Sequence, residues 1–290
     1  ALSAVEVSNV SDYLSAGEAN ATGWIEPNRC PANKRTPKLN TKPTVAGFGY
    51  NYSNKRELSF AEAGLKPGDL DNLEVAWVMA FPQVGTMRGQ AAVVGDTMFL
   101  PMADNNRLFA LDISGDKPCV QWVYDGGRAL RTSAGYGEMS NGKKIIMVGD
   151  MGGFVHAIDA KTGRKLWRFY TVPGDPSLGP DGEASDSVMA LATKTWTGQW
   201  WKFGGGGTVW DSFVYDPELK LVYLGTGNGS PHMARFRSPQ GGDNLFLCSI
   251  VAVHVETGEY AWHYQMVPEE QWDFTCTQPM ILAELPIDGQ

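Results

Sequence analysis

Two glycine clusters in the middle of the chain flank side chains that could bind a ligand. The first cluster, Gly204 to Gly207, leads to Thr208 and the aromatic Trp210, and the second brackets the amide of Asn228. Glycine loses more conformational entropy on folding than other residues, so such clusters need a structural reason. They would let a flat ligand approach the backbone beside the indole, and tight strand packing is the alternative explanation.

A single carboxylate stands out further along the chain. Asp273 lies between Trp272 and Phe274 in the stretch PEEQWDFTCTQPM, residues 268–280. An acid between two rings is either exposed in a turn or buried with a special role. The residue types alone leave both interpretations open.

The composition argues against several classes of function. The formal net charge is −8 and no basic stripe is present, which disfavours a nucleic-acid partner. The glycine clusters lack the Lys-Ser/Thr pair of a phosphate loop, and no helical pattern follows them. The histidines have no zinc-ligand spacing, and three of them (His156, His254 and His263) fall in strand patterns. No apolar run reaches eighteen residues, so the sequence predicts no transmembrane helix.

A repeat of about 45 residues positions these groups. Alternating strands and a glycine turn end on a tryptophan at Trp122, Trp167 and Trp262, and an earlier stretch closes on Trp77. The first two intervals are 45 residues each and the last is 95, which is two periods with a small excess. The turn at 159–163 links the last two strands of one unit. Multi-stranded units of this length predict an all-β fold of the β-propeller type.

The chain divides into an arm and a partial propeller. Residues 1–58 are predicted to form an extended N-terminal arm with the first pairing strand, including a short helix within 8–20. Residues 59–290 are predicted to form four to five blades, with a small helix over 59–72 and an insertion at 171–201. Because about half of a ring is expected here, a second chain or a continuation of the chain would complete it.

The four cysteines do not form a CxxC motif, and no CxxCH haem-attachment motif is present. Cys30, Cys119, Cys248 and Cys276 are interpreted as structural residues, either free or paired. A Cys30–Cys119 bridge is one possible pairing, and it would fit an oxidising compartment.

Three stretches carry a resemblance to a known family. They read WWKFGGGGTVWDSFVYDPELKLVYLGTGNGSP, GGDNLFLCSIVAVHVETGEYAWHYQ and WDFTCTQPMILAELPIDG. Together they closely resemble the pyrroloquinoline quinone (PQQ)-dependent alcohol dehydrogenases, from about residue 165 to residue 290. The first half is more similar to the branch that oxidises polymeric alcohols. The resemblance implies an eight-bladed propeller with the quinone on its axis.

The resemblance also implies which residues hold the cofactor. Trp210 would lie beneath the quinone plane, because a planar tricyclic group needs a stacking platform. Thr208 would bond a cofactor carboxylate. Gln90 stands where the family has a Glu or Gln that contacts the cofactor, and Arg131 is a candidate partner for a carboxylate or a quinone oxygen. The paired adjacent cysteines that the family places over the quinone are absent.

A calcium site is implied beside the quinone. Asn228 would offer its amide oxygen to the metal, and Asp273 would be the catalytic base, near or on the metal. Asp150 is a shifted replacement for the acidic ligand of the family. Relatives that use lanthanides have a further acid two residues after the base, and here that position is Thr275, which favours calcium.

Two functions from different classes follow. The first is a periplasmic enzyme of bacterial type that uses PQQ and Ca²⁺ to oxidise a small or polymeric alcohol and passes electrons to a separate cytochrome c. The second is a non-catalytic propeller that acts as a scaffold. Such a scaffold needs the closing tryptophans but not the combination of Trp210, Asn228 and Asp273, so the combination favours the enzyme.

Overall fold

The protein is described by a computed structural model that covers residues 21–51, 54 and 56–287. The helix expected within residues 8–20 lies outside this range. Antiparallel strands dominate the described part, and their bounds are β1 Pro43–Val45, β2 Ala92–Val94, β3 Thr97–Met102, β4 Arg107–Asp112, β5 Cys119–Asp125, β6 Gly135–Glu138, β7 Lys144–Gly149, β8 Phe154–Asp159, β9 Lys165–Tyr170, β10 Gly205–Gly206, β11 Phe213–Asp216, β12 Leu221–Gly225, β13 Gly229–Ser230, β14 Ser249–His254 and β15 Tyr260–Gln265.

Helices are short and lie outside the sheets. The α-helices are α1 Ala21–Ile25, α2 Asp186–Thr193 and α3 Ala234–Arg237. The 3₁₀-helices are Glu26–Asn28, Ala32–Lys34, Asp69–Asn72, Pro176–Leu178 and Trp200–Phe203. In the part of the chain that the structure describes, every helix is too short or too polar to be a membrane span.

Three antiparallel meanders of four strands form the body. The first sheet is β2-β3-β4-β5 with β1 added beside β2, the second is β6-β7-β8-β9, and the third is β11-β12-β14-β15. One apolar cluster joins the first two sheets, including Phe99 and Val148, and another joins the second and third, including Val155 and Val251. The sheets therefore stack face to face, because each can bury its faces only against a neighbour.

The closing tryptophans fasten one sheet to the next. The indole of Trp122 donates to the carbonyl of Ala160 at 3.2 Å and packs against Gly163, where an added Cβ would lie 2.9 Å from the ring. Trp167 repeats the contact one sheet further on, where its indole N–H donates to the carbonyl of Val255 at 3.0 Å. The repeated glycine turn therefore gives the preceding sheet a place to dock its tryptophan.

The described residues contain three large sheets, one of five strands and two of four, whereas the repeat length predicts four to five units. Long connections account for part of the difference, because 171–212 separates the second and third sheets and 226–248 separates β12 from β14. The predicted closing strand at Trp77 is also wrong. Residues 73–80 form no strand, and Val75 and Val78 are exposed, since no described strand pairs with them. The small helix expected over 59–72 reduces to one turn and a 3₁₀-helix.

The described part of the arm packs along the first sheet. Cys30 and Cys119 form a disulfide, which joins the arm to the start of β5. The amide of Cys30 also donates to the carbonyl of Val120 at 2.9 Å. This disulfide is one of the pairings that the sequence left open, and it fixes the arm covalently to the propeller.

Candidate cofactor and active site

The topology brings the predicted site residues to one edge of the sheets. Gln90, Arg131 and Trp210 lie just before the first strands of the first, second and third sheets. Asn228 follows the second strand of the third sheet, and Asp273 follows its fourth strand. In an antiparallel meander the first strand begins where the second and fourth strands end. All five positions therefore lie on the same side of the fold.

Hydrogen bonds join the three loops that precede the first strands. The backbone N–H of Gln90 donates to the hydroxyl of Ser133 at 3.0 Å, and the backbone N–H of Ser133 donates to the backbone carbonyl of Asp211 at 2.9 Å. Arg131 lies two residues before Ser133, and Trp210 lies one residue before Asp211. These bonds hold the loops of neighbouring sheets together at the edge where the site residues lie.

Gly227 lets the end of β12 approach the indole of Trp210. Its amide donates to the carbonyl of Thr208 at 3.0 Å. A Cβ at position 227 would lie 3.0 Å from the indole nitrogen of Trp210 and 3.1 Å from that carbonyl. The neighbouring Val209 is buried in the core between the second and third sheets, which fixes the backbone beneath the indole. A small residue at 227 is therefore required by the close approach.

The two glycine clusters pair with each other. The short strands β10 and β13 place Gly206 opposite Gly229, and the amide of Gly207 donates to the carbonyl of Asn228 at 2.9 Å. Gly206 has φ +94°, and a Cβ there would lie 2.3 Å from the Asn228 carbonyl. The clusters therefore serve close backbone packing, and that packing brings the segments of Trp210 and Asn228 side by side.

Asn228 and Asp273 are in direct contact. The side-chain amide of Asn228 donates to Oδ1 of Asp273 at 2.7 Å, although the two residues are 45 apart in sequence. Asn228 is half-buried, whereas Asp273 is exposed and has a left-handed backbone with φ +64°. The structure therefore brings these two side chains into direct contact, as the predicted convergence requires.

Arg131 lies against the indole ring of Trp210. Its guanidinium carbon is 5.1 Å from the centroid of the Trp210 ring, a cation–π contact, and its Nη1 lies 3.8 Å from the sulfur of Met151. A ligand that stacks on an aromatic ring needs a separation of about 3.5 Å between the two planes. A planar ligand on that face of Trp210 would therefore lie beside the guanidinium or displace it.

Gln90 contacts the arm through its side chain, whereas Thr208 contacts Gly227 through its backbone. The amide oxygen of Gln90 accepts from the backbone N–H of Gly49 at 3.3 Å, which ties the arm to this edge. Thr208 is half-buried and its carbonyl accepts from Gly227. Thr208 therefore lies beside the Trp210 platform, while the structure records no contact between Gln90 and the Asn228–Asp273 pair.

Asp150 is not joined to the pair. Its side chain is 1% exposed, and its Oδ1 accepts from the backbone N–H groups of Gly152 at 2.8 Å and Phe154 at 3.0 Å. Its Oδ2 lies 3.0 Å from Nε2 of His156, whose other ring nitrogen contacts the hydroxyl of Tyr124. This carboxylate is occupied inside the second sheet, which argues against the metal-ligand role predicted for it.

Within the part of the chain that the structure describes, no cluster of three or more His, Cys, Asp or Glu side chains could hold a metal ion. The candidate ligand set is therefore one carboxylate, from Asp273, and one amide, from Asn228. A cation bound there needs further oxygens from a cofactor or from solvent.

Burial perturbs two ionisable groups near this edge. Desolvation raises the pKa of the Asp211 carboxyl, which follows Trp210, and the positive charge of Arg56 lowers it in part. Desolvation also lowers the pKa of the Arg237 guanidinium, and the negative charges of Glu270 and Glu269 act in the opposite direction.

Sequence reasoning missed two supports of the segment that carries Asp273. Glu270 is fully buried, and Cys248 and Cys276 form a second disulfide. The amide of Cys276 also donates to the carbonyl of Thr226 at 3.2 Å. The signal for Glu270 was an acid three residues before Asp273. The signal for the disulfide was one cysteine in each of two stretches already suspected to meet.

Comparisons with known proteins identify the family. A family model described as the β-propeller domain of PQQ glucose/ethanol/alcohol dehydrogenases matches residues 139–290, just over half of the chain. The chain therefore belongs to this family of PQQ propellers. The predictions of an all-β propeller and of this family are confirmed.

The similar proteins are bacterial. The quinohemoprotein alcohol dehydrogenase ADH-IIG of Pseudomonas putida is 56% identical over 164 residues, which are 55% of this chain and 22% of that protein. ADH IIB of the same species is 48% identical over 204 residues, 69% of this chain and 29% of that protein. The crystal structure of the Comamonas testosteroni quinohemoprotein alcohol dehydrogenase has a TM-score of 0.63 at 29% identity, covering 94% of this chain and 48% of that one. The chain thus matches between about a fifth and a third of the length of these two curated relatives.

Proposed function

We propose that this chain forms part of an enzyme that uses PQQ and Ca²⁺ to oxidise an alcohol to an aldehyde or ketone. The observation that carries the proposal is the contact between Asn228 and Asp273 beside the Trp210 platform. Family membership supports it, because the similar proteins are named as quinohemoprotein alcohol dehydrogenases.

The residues fit a flat quinone with a hard cation next to it. Trp210 offers the largest aromatic face among side chains, and Gly227 keeps the neighbouring backbone close to that face. Asn228 and Asp273 offer amide and carboxylate oxygens, which are the ligands that calcium prefers. When bound, PQQ would supply the two-electron acceptor and Ca²⁺ the Lewis acid.

Asp273 acts as the base in this proposal. The carboxylate is exposed and is held by the Asn228 amide through one oxygen, which leaves the other free to accept the alcohol proton. Trp210 orients the cofactor, with Thr208 beside it. Arg131, which lies over the Trp210 ring, would be close enough to bind an oxygen of the cofactor.

Calcium is favoured over a trivalent ion. Thr275 stands two residues after Asp273, and its hydroxyl lies 3.4 Å from that of Thr277. A neutral hydroxyl there leaves the site with one negative charge fewer than an acid would give. The europium-containing methanol dehydrogenase has a similar fold, with a TM-score of 0.51 at 26% identity, and we attribute the preference for calcium in this chain to the lower negative charge of its ligand set.

The proposed setting is the periplasm, with a cytochrome c as electron acceptor. The disulfides Cys30–Cys119 and Cys248–Cys276 support an oxidising compartment. We further propose that additional blades complete the ring, which is supported by the exposure of Trp262, the counterpart of the docked Trp122 and Trp167.

A reconstitution experiment tests the proposal. PQQ and Ca²⁺ are added to the purified protein with its ring complete, tryptophan fluorescence reports binding, and reduction of an artificial dye reports turnover of primary and secondary alcohols. The proposal predicts that both ligands are required for dye reduction. Neither quenching nor activity would favour a propeller that acts only as a scaffold.

A further inference from the structure

A buried acid ties the two candidate site residues together. Glu270 is 0% exposed, and its carboxylate accepts three backbone N–H groups. Oε2 accepts from Gly229 at 2.9 Å, and Oε1 accepts from Trp272 at 2.8 Å and from Phe274 at 2.9 Å. One side chain therefore fixes backbone from two distant segments.

The three amides are the immediate neighbours of the site residues. Gly229 follows Asn228, and Trp272 and Phe274 stand on either side of Asp273. Asp273 has φ +64°, a left-handed conformation that costs energy for a residue with a side chain. Such a conformation persists only where its surroundings determine it. The bonds from Glu270 to the amides on both sides of Asp273 provide that constraint.

Arg237 is a buried positive charge next to Glu270. Its side chain is also 0% exposed, and its guanidinium donates to the carbonyl of Glu270, to the carbonyls of Pro231 and His232, and to Oδ1 of Asn244. A buried carboxylate needs hydrogen bonds and a nearby positive charge to offset its desolvation. Glu270 has both, so it can remain in place as an acceptor.

We propose that Glu270 is a positioning residue: its carboxylate holds the Asn228 and Asp273 segments at the separation that lets both side chains bind one cation while Asp273 accepts the substrate proton. This inference rests on the proposed function and deepens it. It assigns a role to an acid that touches neither the proposed cofactor nor the substrate. Partners one step outside a metal site typically change its affinity or activity by about 10–100-fold when they are replaced.

The test uses Glu270→Gln and, as a matched control, Glu269→Gln. Glutamine keeps the shape of the side chain but presents an NH₂ group to one set of backbone N–H donors. Glu269 is the neighbouring acid, is only half-buried, and its removal makes the same change in charge. Both variants are studied with the ring complete and below their melting temperatures, with circular dichroism as the check of folding.

Two readouts are measured. In the protein without ligands, amide hydrogen exchange at Gly229, Trp272 and Phe274 is expected to be at least roughly tenfold faster in Glu270→Gln than in Glu269→Gln. In the reconstituted protein, the Ca²⁺ concentration for half-maximal PQQ binding is expected to rise by roughly tenfold or more. Glu270→Asp keeps the charge and is expected to restore part of the Ca²⁺ affinity.

The outcomes separate the two proposals. If the unaltered protein binds PQQ and Ca²⁺ and Glu270→Gln changes neither hydrogen exchange nor the Ca²⁺ midpoint, the positioning role is overturned and the proposed function stands. A variant that only melts earlier, with an unchanged Ca²⁺ midpoint when folded, also overturns it. If the unaltered protein binds neither ligand, the proposed function fails, and the positioning role falls with it.

Discussion

Two aspartates at the same edge of the fold are held in opposite ways. In the second sheet, Asp150 is buried, accepts two backbone N–H groups and contacts His156. After the third sheet, Asp273 is exposed and receives one side-chain amide from Asn228. Both follow a strand that ends at this edge, so position in the repeat does not separate them.

Hydrogen bonds that are already satisfied limit what a carboxylate can bind. The oxygens of Asp150 already have partners inside the sheet, and moving them to a metal would leave buried N–H groups without acceptors. Glu270 accepts hydrogen bonds from the backbone on both sides of Asp273, so the position of Asp273 is fixed without using its carboxylate. That carboxylate can therefore bind a ligand. The comparison therefore favours a structural role for Asp150 and agrees with the role of base proposed for Asp273.

The largest expected effect is on turnover, in Asp273→Asn. Asparagine keeps the size of the side chain but cannot accept a proton as a base, so the rate of alcohol oxidation should fall by about three orders of magnitude. PQQ should still quench tryptophan fluorescence, because the Trp210 platform is intact. A variant that retains full turnover would remove Asp273 from its role as base.

Removing the Cys248–Cys276 disulfide is expected to affect both stability and the site. The residues are 28 apart, and a loop of that size contributes about 3.6 kcal/mol to the free energy of unfolding. Since Cys276 is three residues from Asp273, the double variant with alanine at both positions should also weaken Ca²⁺ binding. Thermal melting and Ca²⁺ titration measure the two effects.

The Cys30–Cys119 disulfide provides the matched control. It spans 89 residues and fastens the arm far along the chain from Asp273. Its removal should lower stability by a comparable amount and leave the Ca²⁺ midpoint unchanged. An equal loss of Ca²⁺ affinity in both double variants would mean that the effect is one of general destabilisation.

Unlike Asp273→Asn, which should lower turnover, Asp150→Asn should lower the stability of the fold. One acceptor oxygen becomes an NH₂ group inside the second sheet, and the loss of hydrogen bonding to the buried amides should cost about 1–3 kcal/mol of unfolding free energy. Ca²⁺ affinity in the folded protein should not change. A large loss of Ca²⁺ affinity without a loss of stability would restore Asp150 as a ligand.

The smallest expected effect concerns pH and the third sheet. Burial lowers the pKa of His263, whose ring contacts the hydroxyl of Tyr260 at 2.7 Å. The unfolded chain binds the proton at the ordinary pKa near 6.5 and the folded chain only at lower pH. Stability should therefore fall as pH drops below that value. His263→Gln should flatten this dependence between pH 7 and pH 5, a change in melting temperature of roughly 2 °C or less; an unchanged slope would contradict it.

The repeat predicted the stacked sheets because its signals are local. Trp122, Trp167 and the turn glycines mark the ends of units wherever a neighbouring sheet is present. Trp77 carried the same signal, but residues 73–80 have no partner strand among those described, and alternation alone does not make a strand. The family resemblance located Trp210, Asn228 and Asp273, because these lie in the stretches that match it best.

Burial could not be predicted from the same sequence. Asp150 and Glu270 are both acids near glycines or aromatic residues, and their neighbours in sequence do not distinguish their environments. The carboxylate of Asp150 is fully hydrogen-bonded to Gly152, Phe154 and His156. That of Glu270 instead binds two backbone segments. The Cys248–Cys276 pair likewise depends on how β14 meets the segment after β15. These features arise from contacts between distant segments, which the spacing of residues does not contain.

The most direct test of the account is a crystal structure of the protein with its ring complete, soaked with PQQ and Ca²⁺ and measured at a wavelength where calcium gives an anomalous signal. The account predicts a calcium peak about 2.3–2.6 Å from the oxygens of Asn228 and Asp273, with the quinone plane on Trp210. A peak bound by Asp150 instead, or a quinone that does not contact Trp210, would contradict it.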